Sequence, residues 1–339
     1  MKNFKVRELQ LKFLATPWAF GCLAILVCLL APLVGPTPIK LSRVFDNSIS
    51  FADNVDAQIF FIARLPRVLA GALVGGSLAA AGVVLQALLR NPLATPFTLG
   101  VSAGASLGAM VIIVLGIPIA LAGLPAVTLA SFTGSLVAVG IVYSLARLRR
   151  QGLSTNVLLL AGVTLNSLFS AVIMFVQYLA DFSQNFQAVR WLMGNLDVSG
   201  YDTILWALPL LMAALAGFTY LPRSLNLLTL GTEYAATRGV DILKTQRVAF
   251  LSASLATGAA VSLGGPIGFI GIIVPHIVRL LVGADHRVVL PSATFLGAAF
   301  LVTCDIGART IMAPVELPVG VITAMLGGPF FLWLLIRNR

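Results

Sequence analysis

Charge is what this chain has least of. Only 10% of its 339 residues are Asp, Glu, Lys or Arg, while 59% are hydrophobic; an ordinary soluble domain carries about 25% charged residues. So few charges cannot screen that much apolar surface from water, which excludes a soluble core and leaves lipid as the solvent. Histidine is nearly absent too: His276 and His286 are the only two, and neither belongs to a cluster with metal-ligand spacing. The cysteines Cys22, Cys28 and Cys304 are scattered inside apolar runs, where small packing residues are expected rather than a disulfide or a thiolate site. No G-x-x-x-x-G-K-S/T loop is present to cradle phosphates, and Ser102, Ser106 and Ser170 have no histidine base beside them. The expectation is a non-catalytic chain that binds no metal or cofactor of its own.

The formal charge of +10 does not point to nucleic acid, because the basic residues stand singly between long apolar runs. What fills the sequence instead is uncharged stretches. Residues 13–39, 68–89, 91–146, 151–180, 203–222, 248–278, 288–304 and 317–336 contain no charged side chain. A helix needs about 20 apolar residues to cross lipid. Interval 91–146 therefore holds two spans, with a hairpin at Gly116-Ile117-Pro118 and Gly123-Leu124-Pro125, and Gly264-Gly265-Pro266 divides 248–278. The reading is an all-α polytopic membrane protein of about ten spans, near 16–35, 68–88, 96–116, 121–146, 154–180, 203–221, 246–263, 269–283, 291–309 and 317–336.

With both termini in the cytoplasm, the inner segments hold 16 of the 22 basic residues and the outer ones keep Lys40, Arg43, Arg64, Arg67, Arg190 and Arg309. That is the positive-inside bias. The first apolar run is too long for a signal peptide and lacks a small-x-small cleavage site after it, so it reads as an uncleaved helix. Three glycine series, Gly71/Gly75, Gly100/Gly104/Gly108 and Gly264/Gly268, place small residues on helix faces, where tight helix packing is the simpler role and substrate contact the other. Asn91-Pro92-Leu93-Ala94-Thr95-Pro96 cannot be regular helix.

These stretches also carry a resemblance. RLPRVLAGALVGGSLAAAGVVLQALLRNPLATPFTLGVSAG at 64–104, GPIGFIGIIVPHIVRLLVGADHRVVLP at 265–291, DIGART at 305–310 and ELPVGVITAMLGGPFFLWLL at 316–335 closely resemble the permeases of the iron-chelate and cobalamin ABC importers. GLSTNVLLLAG at 152–162 and RWLMGNL at 190–196 are weaker matches in the same order. The resemblance implies a single transmembrane domain over 1–339 in the bacterial cytoplasmic (inner) membrane, folded as a type II importer permease. It implies a homodimer around a central pathway, two ATP-binding cassette subunits that carry ATP and Mg, and a periplasmic or lipid-anchored substrate-binding protein.

Roles follow from the resemblance position by position. Arg64, Arg67 and Arg309 match outer arginines that receive acidic residues of the binding protein, and guanidinium suits carboxylate recognition; the alternative makes them interfacial anchors or partners of Asp305 and Glu316. Asn91, Leu93, Thr155 and Asn156 match a cytoplasmic gate, although Asn156 is bulkier than the hydroxyl residue expected there, and Asn91 also suits a turn before proline. The inner loop near 222–245 contains Gly231, Thr232, Glu233, Ala236, Arg238 and Gly239. Thr232 is expected to cap a short helix and Gly239 to end it, and in the resembling permeases this helix couples to the ATPase. Arg238 stands where an apolar residue is expected, and a surface helix without a partner is the competing view.

Ferric siderophore is the first expectation for cargo, with haem and cobalamin sharing the same motifs. The outer segment near 181–202, with a lateral helix ending at Gly194, is expected to border the cavity mouth, where Trp191 and Met193 either meet a planar ligand or, for Trp191, anchor in the interface. An ion-coupled secondary transporter would need a mid-span acid, and only Asp305 approaches that.

Overall fold

Each of the ten predicted spans contains a helix in the computed structural model, which describes residues 2–117, 120–121, 124–147, 155–198 and 200–337. Helix α1 (Lys2–Leu30) is followed by two short helices, α2 (Leu41–Val44) and α3 (Val55–Gln58), and a π-helical turn, Ile59–Arg64, that runs directly into α4 (Leu65–Leu89). The stretch 40–64 is thus more ordered than an outer loop. Asn54 accounts for part of that: its side chain caps α3 by accepting from the Ala57 N–H at 3.0 Å and donates to the Arg43 carbonyl at 2.6 Å.

α5 (Val101–Leu115), α6 (Ala126–Arg147) and α7 (Thr155–Tyr178) follow, then the lateral helix α8 (Phe182–Leu192) and α9 (Tyr201–Thr219). Two short helices, α10 (Pro222–Leu228) and α11 (Thr232–Thr237), precede α12 (Ile242–Gly264), α13 (Ile270–Val282), α14 (His286–Thr310) and α15 (Val319–Arg337). Among the described residues seven helices are long and apolar enough to cross a membrane, and α5, α13 and α15 are shorter apolar ones. Among the described residues the one departure from an all-α chain is β1 (Ala120–Leu121) against β2 (Leu124–Pro125), with Leu121 opposite Leu124. It occupies the predicted hairpin, of which Pro118 and Gly123 lie outside the described residues.

Packing explains two of the glycine series; Gly264 and Gly268 share no helix face, because α12 ends at Gly264 and Gly268 lies in the turn before α13. α4 and α12 are buried along most of their length, whereas α1, α6, α7 and α9 leave most of theirs outward. In lipid no hydrophobic gain draws one apolar helix to another, so close backbone approach supplies the contact energy. Gly75 of α4 lies against the Gly297 backbone of α14, and Gly104 and Gly108 of α5 lie against Gly134 and Ala130 of α6. A Cβ at any of these positions would overlap backbone.

The ends of the bundle follow from direction. The Ala31 carbonyl just after α1 meets Arg309 near the end of α14, while α4 begins beside Arg67. Asn195 donates to the Gly264 carbonyl at 2.8 Å, and Gly320 donates to the Gly194 carbonyl at 3.3 Å, so the segment after α8 and the start of α15 close the same end. We refer to it as the arginine end. Lys2 and Arg337 fall at the other.

Candidate functional sites at the two ends of the bundle

At the arginine end the three predicted docking arginines are buried: Arg64 is 5%, Arg67 8% and Arg309 2% exposed. Arg67 Nε lies 2.8 Å from Asp305 and its Nη1 2.5 Å from Glu316. Arg309 Nε sits 3.2 Å from the other Asp305 oxygen, and its Nη2 donates to the Ala31 carbonyl at 3.1 Å. Arg64 donates to the Pro32 carbonyl at 2.9 Å and to the Thr37 carbonyl. Buried cations need such partners, because an unpaired charge in this medium is costly. Asp305 is 1% exposed and shared between two guanidiniums, so it is no free carboxylate for ion coupling. The Glu316 side chain, 43% exposed, is the part of this network open to the surface.

The same end holds a cavity of about 390 Å³, walled by Gln187, Arg190, Trp191, Asn195 and Asp197 from the outer segment and by Ser262 of α12. Asp181 caps α8 reciprocally with Gln184, and Gly194 takes φ +75° after it, so the lateral helix ends where the sequence places it. Trp191 faces this cavity; Met193 is exposed and is not part of its wall.

At the opposite end, Arg90 ends α4 with φ +48°, and the Asn91 side chain accepts from the Leu93 N–H at 2.9 Å. The turn continues into a 3₁₀ helix, Pro96–Leu99, capped by Thr95. α7 packs on that turn, with Gly162 against Thr98 and Leu99 and the Asn166 side chain donating to the Phe97 carbonyl at 2.9 Å. Thr155 and Asn156 open α7 at this end, and Leu93 and Asn156 both stay exposed. The four predicted gate residues therefore share one end of the bundle.

The predicted coupling helix is α11, with one correction at its start. Gly231, at φ +134°, is the N-cap and Thr232 is already the first helical residue, with no side-chain cap. Only glycine enters that backbone region without strain, which moves the boundary one residue back. The other end is as expected: Gly239 has φ +80°, its N–H donates to the Ala236 carbonyl and the Val240 N–H to the Ala235 carbonyl, a Schellman closure. Ala235 is buried, while Thr232, Glu233, Ala236 and Arg238 are exposed. Arg238 donates to the Tyr234 hydroxyl at 3.1 Å and lies 5.3 Å from the centre of its ring, so the unexpected cation is held along the helix rather than projecting freely.

Two polar clusters at this end escaped the sequence reading. Gln86 of α4 donates to the Gly271 carbonyl at 2.9 Å and accepts from Arg279 of α13 at 2.5 Å. Asn226 of α10 donates to Asp285 at 2.7 Å and accepts from His286. Their only trace in sequence is a lone amide inside an apolar run. Asp285 lies outside the spans, and the Arg287 guanidinium beside it, with the Arg287 and Asn226 N–H groups, holds its carboxyl down from 3.8 to about 2 against the opposing effect of burial. A carboxylate whose folded pKa is depressed stabilises the folded state fully above its unfolded value, and that contribution fades as pH falls through the folded one. Acid titration in detergent is therefore expected to leave this junction intact down to pH about 4 and to weaken it between about 4 and 2, with Asp285→Asn abolishing that part of the acid response.

A helical bundle with seven membrane-length helices among the described residues and buried, mutually neutralised charges defines a multi-pass membrane protein. The chain belongs to the FecCD transport family, which it matches over residues 23–337; that family comprises ABC transporter permease chains, transport components rather than catalysts. It is 42% identical over 285 residues to the hemin transport system permease protein HmuU of Yersinia pestis, covering 83% of this chain and 84% of that one. It is 37% identical over 374 residues to the cobalamin import system permease protein BtuC of Halobacterium salinarum, covering 98% and 99%. A solved structure described as an inward-facing conformation of a metal-chelate type ABC transporter superposes with TM-score 0.80 at 29% identity, covering 96% of this chain and 99% of that one.

Proposed function

We propose that this chain is the permease of an ATP-driven importer in the bacterial inner membrane and that it moves a metal chelate, with ferric siderophore the first candidate cargo. The observation that carries the proposal is the superposition of nearly the whole chain on a metal-chelate type ABC transporter. Haem and cobalamin are the cargo alternatives, because relatives of each kind are similarly close. The positive-inside bias puts the arginine end outside and both termini in the cytoplasm.

In this reading two copies pack around a shared pathway. Leu93 and Asn156, exposed at the cytoplasmic end, close it together with Asn91 and Thr155 of each copy. Two ATPase subunits, carrying ATP and Mg, receive α11 through its exposed face. A substrate-binding protein docks on the arginine end. Since Arg64, Arg67 and Arg309 are buried, its acidic residues reach Arg67 by displacing the half-exposed Glu316, exchanging one carboxylate for another at little cost in charge balance.

The test is ligand-stimulated ATP hydrolysis in liposomes holding this chain, its ATPase and its binding protein, with haem, cobalamin and a ferric hydroxamate run in parallel. One ligand should stimulate hydrolysis and be taken up. Ala236→Glu, at an exposed position of α11, should leave the fold intact and reduce hydrolysis at least tenfold by setting a carboxylate against the ATPase, a penalty of about 1.4 kcal/mol or more. Failure to assemble with an ATPase, or uptake indifferent to ATP, would overturn the importer reading.

A further inference from the structure

We infer that Asn226 is a positioning residue that ties the coupling helix to α14, so that motion at the ATPase side is delivered along one helix to the arginine network. The inference rests on the coupling role proposed for α11. Asn226 lies on α10, which leads into α11 through Thr229, Leu230 and Gly231. Leu225 and Leu228 are buried in the main core, so α10 is a fixed element of the bundle while α11 presents its face outward.

The chemistry of the tie is specific to an amide. The first N–H groups of any α-helix lack intrahelical partners. Asp285 caps the Arg287 N–H of α14 at 2.9 Å, and Asn226 Oδ1 takes the His286 N–H, also at 2.9 Å. The same oxygen stands 2.6 Å from His286 Nδ1. A carbonyl oxygen only accepts, so Nδ1 carries the proton and donates. Asn226 Nδ2 then donates to Asp285 at 2.7 Å. One side chain thus serves the backbone, the ring and the cap of the same helix terminus. A carboxylate at 226 would repel Asp285, and an apolar residue would leave the 4% exposed His286 ring N–H without its acceptor.

What lies along α14 gives the tie its consequence. From His286 the helix runs to Thr310 with Pro291 inside its second turn, and it carries Asp305 and Arg309, Asp305 lying about 28 Å from the tie at 1.5 Å per residue. Asp305 holds Arg67 of α4, and Arg67 holds Glu316. Between the two polar ends α14 is locked to α4 by the Gly75–Gly297 backbone contact. Coupling two sites requires an element with two arrangements that both sites bias. On α14 the hydrogen-bonded amide supplies the contact at one end and the ion network the contact at the other.

The test has two arms. In nanodiscs containing the chain alone, Asn226→Ala should accelerate amide hydrogen exchange at residues 232–240 and at 286–289 together, leaving 68–85 of α4 unchanged. In the assembled importer, using whichever of haem, cobalamin or ferric hydroxamate stimulates the unaltered complex, uptake per ATP hydrolysed should fall at least about fivefold, the lower end of typical coupling free energies. N226D alone should behave similarly, and N226D/D285N, which exchanges amide and carboxylate across the same hydrogen bond, should restore both readouts. A merely structural contact would lower yield or hydrolysis without changing uptake per ATP. Unchanged exchange, or unchanged uptake per ATP with a working complex, would overturn the tie. If the unaltered complex neither hydrolyses nor transports, the importer reading falls instead, and the exchange arm alone judges the tie.

Discussion

Replacing Asp305 with alanine is expected to destabilise the folded chain by about 3–5 kcal/mol, the cost of breaking a buried ion pair from one side. Asp305 neutralises two arginines at once, and all three side chains are less than a tenth exposed. Without it, Arg309 keeps a single carbonyl, that of Ala31, and Arg67 keeps only Glu316. Arg67 Nη2 and Arg309 Nη1 have no hydrogen-bond acceptor even in the intact network, so nothing is in reserve. Asp305→Asn preserves shape and one acceptor, and its loss should be smaller. Replacing the trio together, R67M/D305L/R309M, should recover most of the stability, because a well-packed apolar cluster replaces a buried ionic one at little net cost. Denaturant unfolding in detergent, followed by tryptophan fluorescence, measures all three. A loss below 1 kcal/mol for Asp305→Ala would mean that water or the arginines' own rearrangement solvates the gap.

The spans were legible in sequence because lipid demands about 20 mostly apolar residues with few charges in each crossing segment, and the charges that remain, such as Asp305 and Arg309, are paired inside the bundle. The turns between them were legible where Pro and Gly act locally, as at Asn91–Pro96 and Gly264-Gly265-Pro266. The start of α11 was placed one residue late, because Thr232 has capping chemistry but Gly231 has the backbone freedom the turn needs. The short helices in 40–64 carry little periodicity over four residues each, too few for a pattern to emerge. Polar pairing was less legible. Arg67 could be placed at the same end as Asp305 and Glu316, and those acids could be offered as partners, yet nothing local decides between self-neutralisation and an external acid. Asn226 and Asp285 are 59 residues apart and Gln86 and Arg279 are 193 apart; single-chain patterns carry no record of which amide meets which charge. Function was legible only through resemblance, since the site holds no reacting group whose chemistry declares itself.

The second large effect belongs to Gly75. Gly75→Val should cost at least about 1–3 kcal/mol, the usual range for overpacking, and lie at or above its upper end. The added Cβ meets the Gly297 carbonyl and the Leu301 side chain of α14, and neither backbone yields easily because Gly297 is itself pressed against Gly75 and Ala79. Repacking side chains cannot relieve an overlap between two backbones; the helices must separate. Gly140 of α6 provides the contrast, since nothing lies within 4 Å of where its Cβ would be. There Gly140→Ala should be neutral or stabilise by up to about 1 kcal/mol through helix propensity alone. The same unfolding measurement compares the two. Equal effects would show that α4 and α14 are not in backbone contact in the folded protein. Separation of these two helices also has a distant consequence, because Arg67 and Asp305 sit on them one at each side. Gly75→Val combined with Asp305→Asn should therefore lose less than the two do separately: once the helices have parted, the ion pair has little left to give.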